Sequence, residues 1–147
     1  MPTTTREEIR FGGLVIRYLV APQASGGSVA MFEFEVAPGA KVPAAHSHDA
    51  YEETAYGLEG TLTYTVNGQT MEGGPGDSVL IPRGAVHRFE NLHSTPAKAL
   101  AIITPGLLGP EYFREIAGVL QSTPSGTPPN GAAIGEIMRR HGLTPAP

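Results

Sequence analysis

The stretch GAKVPAAHSHDAYEETAYGLEG, residues 39–60, decides how the rest of the chain is read. It holds two of the five histidines, His46 and His48, with Glu52 and Glu53 close behind. Side chains alternate faces along an extended strand, so His46 and His48 point the same way; on a helix the same spacing would separate them. Pro43 biases Val42 toward extended geometry, and no helical apolar period runs through the segment, so a strand is expected. Two imidazoles on one strand face with a carboxylate nearby make half of a metal site. Such pairs also lie on solvated strands, and the other half must come from elsewhere in the chain.

Working outward, the pattern is that of short strands and tight turns. Upstream, residues 1–8 read as a polar arm, Arg10 to Val20 as one or two strands broken at Gly12-Gly13, and Ala21 to Gly27 as a loop. Ser28 to Val36 alternates, with Phe32, Phe34 and Val36 on a buried face and Glu33 and Glu35 facing water. Downstream, strands are expected over Glu53–Leu58 and Thr61–Val66, the second returning through Asn67-Gly68, a type I′ hairpin signal, into Gln69–Glu72. Ser78–Ile81, Val86–Asn91 and Lys98–Thr104 complete the strands. After Pro105-Gly106 the apolar period changes to that of helices. Pro110 opens one with Phe113, Ile116, Ala117 and Leu120 on a face; Asn130 caps a second with Ile134, Ile137 and Met138, ended by Gly142. Both stripes should pack on the sheet or on another subunit.

The segment GDSVLIPRGAVHRFEN, residues 76–91, brings a third histidine, His87, after a proline-glycine corner. Phe89 and Asn91 share its strand face, an apolar wall and a polar group of the kind a pocket needs. At this point the sequence resembles the cupin superfamily, which is defined by two motifs. Gly39, His46, His48, Glu53 and Gly60 match the first, with one residue more than the family pattern between Gly39 and His46, which a β-bulge would absorb. Gly76, Pro82, Gly84, His87 and Asn91 match the second without a gap, fifteen residues beyond the first. Together they span residues 39–91, about a third of the chain.

The resemblance implies an all-β fold, a double-stranded β-helix or jelly-roll barrel over about residues 9–105, with two short C-terminal helices over about 109–142, in a single domain. It also implies that His46, His48, Glu53 and His87 line the barrel mouth as ligands of one divalent transition metal, Fe, Mn, Ni, Co or Zn. Three neutral imidazoles and a carboxylate suit those ions on chemical grounds as well. Glu52 competes for the fourth position, since simple parity from His48 favours it. The Asp49–Tyr51 corner should break that parity, and the motif spacing to Gly60 selects Glu53.

Function is read from the site, because fold alone does not give it. The ligand set resembles that of quercetinase-like cupins, which implies a metal-dependent, dioxygenase-type oxidoreductase acting on a small apolar or aromatic enolisable compound. The alternatives are a cyclase or isomerase that uses no dioxygen, and a non-catalytic binder. Leu62, Tyr64, Val66, Met71 and Phe89 are expected inside, alternating with threonines on the solvent side. Tyr64 reads first as core packing; facing the pocket, its hydroxyl would orient a substrate. Arg83 and Arg88 do not clearly enter the pocket, which disfavours sugar phosphates. His93 is expected on the surface and His141 near a helix C-terminus.

Composition sets the outer bounds. The net charge is -4, charged residues make up 16%, and no basic block is present, so nucleic acid is not an expected partner. There is no cysteine, which excludes disulfides and thiolate ligands. No apolar run suits a signal peptide or a membrane span, and a cytoplasmic protein is expected. A homodimer is expected too, because jelly rolls expose sheet edges and the apolar stripes outnumber what one small barrel covers; exchange of N-terminal strands is one mode.

Overall fold

The computed structural model describes residues 6–40 and 42–147. Most of the expected polar arm, residues 1–5, lies outside them. The strands in chain order are β1 (Glu8–Phe11), β2 (Leu14–Val20), β3 (Ala30–Val36), β4 (His46–His48), β5 (Glu52–Glu59), β6 (Leu62–Val66), β7 (Gln69–Gly73), β8 (Ser78–Ile81), β9 (His87–Glu90) and β10 (Ala97–Thr104). Helices α1 (Pro110–Gln121) and α2 (Gly131–Arg140) follow, and a short β11 (Leu143–Pro145) ends the chain. A six-stranded sheet runs β1-β2-β3-β10-β5-β8 and a five-stranded one β11-β4-β9-β6-β7, every pairing antiparallel. This is the jelly-roll arrangement expected from the motifs.

Alternation builds the core. On β3, Phe32, Phe34 and Val36 are buried, and on β2 Leu14, Ile16 and Tyr18 meet them from the same side of the sheet. The opposite face is not simply wet. Arg17 donates to Glu8 and to Glu35 at 2.8 Å each, so Glu35 belongs to a three-strand ion-pair ladder instead of facing open water. Helix α1 lays Phe113 edge-on against Phe32, ring centroids 5.1 Å apart, while Tyr18 donates to the Leu108 carbonyl at 2.7 Å. Burying one such phenyl ring stabilises by about 1.5–3 kcal/mol. The Asn130 side chain caps α2 by accepting from the Ala133 amide at 3.1 Å.

The turns are where the motif residues work. Asn67 (φ 48°) and Gly68 (φ 80°) form the left-handed pair that a type I′ hairpin requires. Gly60 closes the first motif at φ 64°, and a Cβ there would sit 2.3 Å from the Pro96 carbonyl oxygen. The extra residue of the first motif, expected in a bulge, falls between Gly39 and His46. Residues 42–45 are irregular backbone ahead of β4, with no ladder to bulge, and Lys41 lies outside the described residues.

Three side-chain expectations are overturned. Met71 is exposed, because β7 is the outermost strand of its sheet and buries only Gly73. Thr63, expected in solvent, is buried, flanked in register by Glu72 and Glu90 on both neighbouring strands. Asn91 is buried but serves the backbone: its amide donates to the Val36 and Thr95 carbonyls at 2.9 Å each, and its oxygen accepts from the His93 amide. It fastens the end of β9 to β3 and is not a pocket group. We expect Gly60→Ala to cost about 2–4 kcal/mol in urea unfolding, left-handed strain plus overpacking. Gly68→Ala, left-handed but with nothing within 4 Å of its Cβ, should cost only about 1 kcal/mol; equal losses would contradict the close approach at Gly60.

Candidate metal centre

Strand register brings the histidines together. His46 on β4 stands directly opposite His87 on β9, and His48 follows two residues along the same face. Ring centroids are 4.6 Å apart for His46–His87, 4.5 Å for His48–His87 and 5.2 Å for His46–His48. One nitrogen from each ring lies within 4.8 Å of the other two, and all three side chains are buried. His46 Nδ1 is 2.8 Å from the Ala44 carbonyl oxygen and His87 Nδ1 is 2.9 Å from that of Ala85. A carbonyl only accepts, so these contacts place the proton on Nδ1 and leave Nε2 with a free lone pair. His48 Nδ1 is buried without a partner.

Glu53 reaches the same cavity from the other sheet. The chain leaves β4 at His48, turns through Asp49–Tyr51, and enters β5 in the six-stranded sheet at Glu52. Glu53 lines the cavity with the three histidines, though its oxygens stand outside their 4.8 Å cluster. Glu52 points outward, where Arg83 donates to it at 2.6 and 3.2 Å. The remaining candidates lie away from the cavity. Tyr64 is buried with its ring against Gly73, in the packing role. Arg88 pairs with Glu90 at 2.9 Å, and His93 is 3.1 Å from Glu72 on the surface. His141 ends α2 and contacts Glu115.

Several cavity neighbours carried no local signal in the sequence. Tyr51 stacks on His48 with centroids 4.6 Å apart, and its buried hydroxyl has no partner. Leu108 comes from the segment ahead of α1, Tyr112 and Phe113 from its first turn, and Leu143 from β11. Tyr51 stood out only as an aromatic in an otherwise polar corner.

The electrostatics follow from this enclosure. Burial, reinforced by His87, holds His46 down to about 4, and burial with His87 and His46 holds His48 down to about 2. Burial also lowers His87, and it pushes the Glu53 carboxyl up to about 7. Three neutral imidazoles, each offering one nitrogen within 4.8 Å of the other two, and a carboxyl group in the same cavity fit a divalent transition metal.

The signs of these shifts differ. As pH falls below the ordinary histidine value of 6.5, the unfolded chain takes up protons that folded His46, His48 and His87 refuse, so stability drops. Glu53 opposes this: between 4.5 and about 7 the folded carboxyl keeps a proton that the unfolded one has lost. With three groups against one, the urea midpoint of chelator-treated protein should fall from pH 6.5 to 4.5, and His48→Gln should make that fall shallower. A midpoint flat over the window would contradict the neutral buried cluster.

Comparison with known proteins agrees with this geometry. A family model for the cupin domain matches residues 32–103. The chain is 37% identical over 71 residues to "Quercetin 2,3-dioxygenase" of Bacillus subtilis, which covers 48% of this chain and 20% of that protein. It is 31% identical over 96 residues to "Tetracenomycin polyketide synthase protein TcmJ" of Streptomyces glaucescens, covering 65% of this chain and 64% of that one. It therefore spans a fifth of the first relative and just under two thirds of the second. Among solved structures, a predicted oxalate decarboxylase from Thermotoga maritima superposes with a TM-score of 0.61 at 24% identity, over 69% of this chain and 92% of that one, a likeness of fold. With the two-sheet barrel, both motifs in place and the family model spanning β3 to β10, the chain belongs to the cupin superfamily.

Proposed function

We propose that the protein is a metal-dependent cupin enzyme of dioxygenase type, acting on a small apolar or aromatic compound with an enolisable or phenolic oxygen. The observation that carries this reading is the convergence of three neutral, buried imidazoles and Glu53 in one cavity walled by Leu14, Ile16, Phe34 and Phe89. In it, His46, His48, His87 and Glu53 hold one divalent metal, which when bound supplies Lewis acidity and, if redox-active, electron exchange with dioxygen. The Ala44 and Ala85 carbonyls fix two ring orientations. The aromatic and aliphatic walls exclude water from the metal-binding groups and admit only the reacting edge of the substrate. Among the described residues no lysine or arginine lines the cavity, so a phosphorylated sugar would be desolvated without a cationic partner from them.

The likeness to a polyketide synthase protein supports a second reading: a cyclase or isomerase acting on a poly-carbonyl, enolisable compound without dioxygen. Elemental analysis of protein purified without added metal, followed by turnover screens on phenols and diketones in air and under nitrogen, separates the two. Turnover in air alone supports the oxygenase, equal turnover under nitrogen supports the second reading, and metal binding without turnover in either leaves a non-catalytic binder.

Two further outcomes follow from this reading. Glu53→Ala should lower metal affinity on the order of 10–100-fold, while Glu52→Ala, which loses only the outer Arg83 pair, should retain it; equal retention would remove Glu53 from the ligand set. We also read the protein as a homodimer, since β1 and β8 are the edge strands of the six-stranded sheet among the described residues. Light scattering at micromolar concentration should give twice the chain mass of 15.4 kDa, and a monomer mass refutes it.

A further inference from the structure

Beside the metal cavity lies a larger one, about 600 Å³ against about 50 Å³. Its walls are α1, the 122–130 connector, α2 and the irregular segment ahead of β4. Among the described residues, no aspartate, glutamate, lysine, arginine or histidine lines it; Phe11, Ile116, Leu120, Ile134 and Met138 do. The two cavities share Pro43 and Tyr112. Ordinary ligand pockets run about 300–1,000 Å³, so the larger space is the right size for an organic molecule. The smaller admits only a few water-sized groups.

We propose that the larger chamber holds the body of an uncharged, fused-ring or comparably apolar substrate, and that Tyr112 and Pro43 form the partition past which only its oxygen-bearing edge reaches the metal cavity. The chamber's occupancy stands on its own; the partition rests on the metal-centre reading above. The occupant is uncharged because none of the described residues that line the chamber is an ionic partner, and desolvating a charge there would be costly. It is apolar because aliphatic and aromatic side chains dominate the walls. Tyr112, buried and packed edge-on against Phe113 and His141 with centroids at 5.0 and 5.6 Å, is a fixed divider at the junction. It is a positioning residue here.

The test uses the full chain with naphthalene and 2-naphthol as probes, equal in shape and differing by one hydroxyl. Metal-free protein should bind both with similar affinity at one site per chain. Ile134→Trp and Leu120→Trp, each filling the chamber from a half-buried wall position, should each weaken both probes by about tenfold or more, with circular dichroism confirming the fold. In Co(II)-loaded protein only 2-naphthol should tighten and change the visible cobalt absorption, and Tyr112→Ala should let naphthalene perturb that absorption too. No binding to metal-free protein, or binding untouched by both tryptophans, overturns the chamber. A mass that halves as naphthalene binds assigns the space to a second copy of the chain and also overturns it. Naphthalene binding with no Co(II) uptake refutes the metal-centre reading and the partition while upholding the chamber.

Discussion

Withdrawing three imidazoles from water at one point is the constraint around which this protein is built. Each ring loses hydration, and protonation of any one would place a charge beside the other two. The arrangement is tolerable only while all three stay neutral, and the geometry enforces that. The His46–His87 register sets two rings edge-on to each other. The Ala44 and Ala85 carbonyls accept hydrogen bonds from the Nδ1–H groups of His46 and His87 and leave their Nε2 lone pairs free. Tyr51 covers one face of His48. Such a cluster gains stability from a cation and costs it without one, as sites shaped for a metal do.

The rest of the barrel can be understood as what keeps that point dry. Helix α1 and the segment ahead of it bring Tyr112, Phe113 and Leu108 over one side of the cavity, and the ring of Phe113 is gripped by Tyr18 and Phe32 from the six-stranded sheet. From the other side β11 pairs with β4 and contributes Leu143. The amide of Asp49 bonds the Gly142 carbonyl, and Thr144 donates to the Asp49 side chain at 2.6 Å, so the C-terminal strand is tied to the corner that separates His48 from Glu53. The last residues of the chain thus hold the first motif in place.

The motif glycines and Asn91 are architectural. Gly60 permits close approach to the segment before β10, and Asn91 saturates backbone groups between β9 and β3. Their spacing is strict because they set where strands change direction. That spacing carried the fold in the sequence and was legible from one chain. The strand alternation at Phe32, Phe34 and Val36, the Asn67-Gly68 hairpin and the Asn130 cap were legible for the same reason: each is a local preference that packing reinforces. Met71 and Thr63 were misread because alternation says which face a side chain takes, not whether anything lies opposite that face.

What the sequence determined by itself was the shared face of His46 and His48, from spacing along one strand, and the two-helix end, from the helical period; the barrel and the joining of His87 to that pair were legible through the resemblance to the two cupin motifs. The choice between Glu52 and Glu53 was only half available to it. Parity holds within a strand, but His48 and Glu53 belong to different sheets, and the tertiary fold alone sets which carboxylate faces the cavity across the barrel. Tyr51, Tyr112 and Leu143 at the site, the pairing of β11 with β4, and the large chamber between α1 and α2 were decided by the tertiary structure in the same way. They join residues as far apart as Val42 and Pro145, and no local propensity records a contact between surfaces that meet only after the chain has closed.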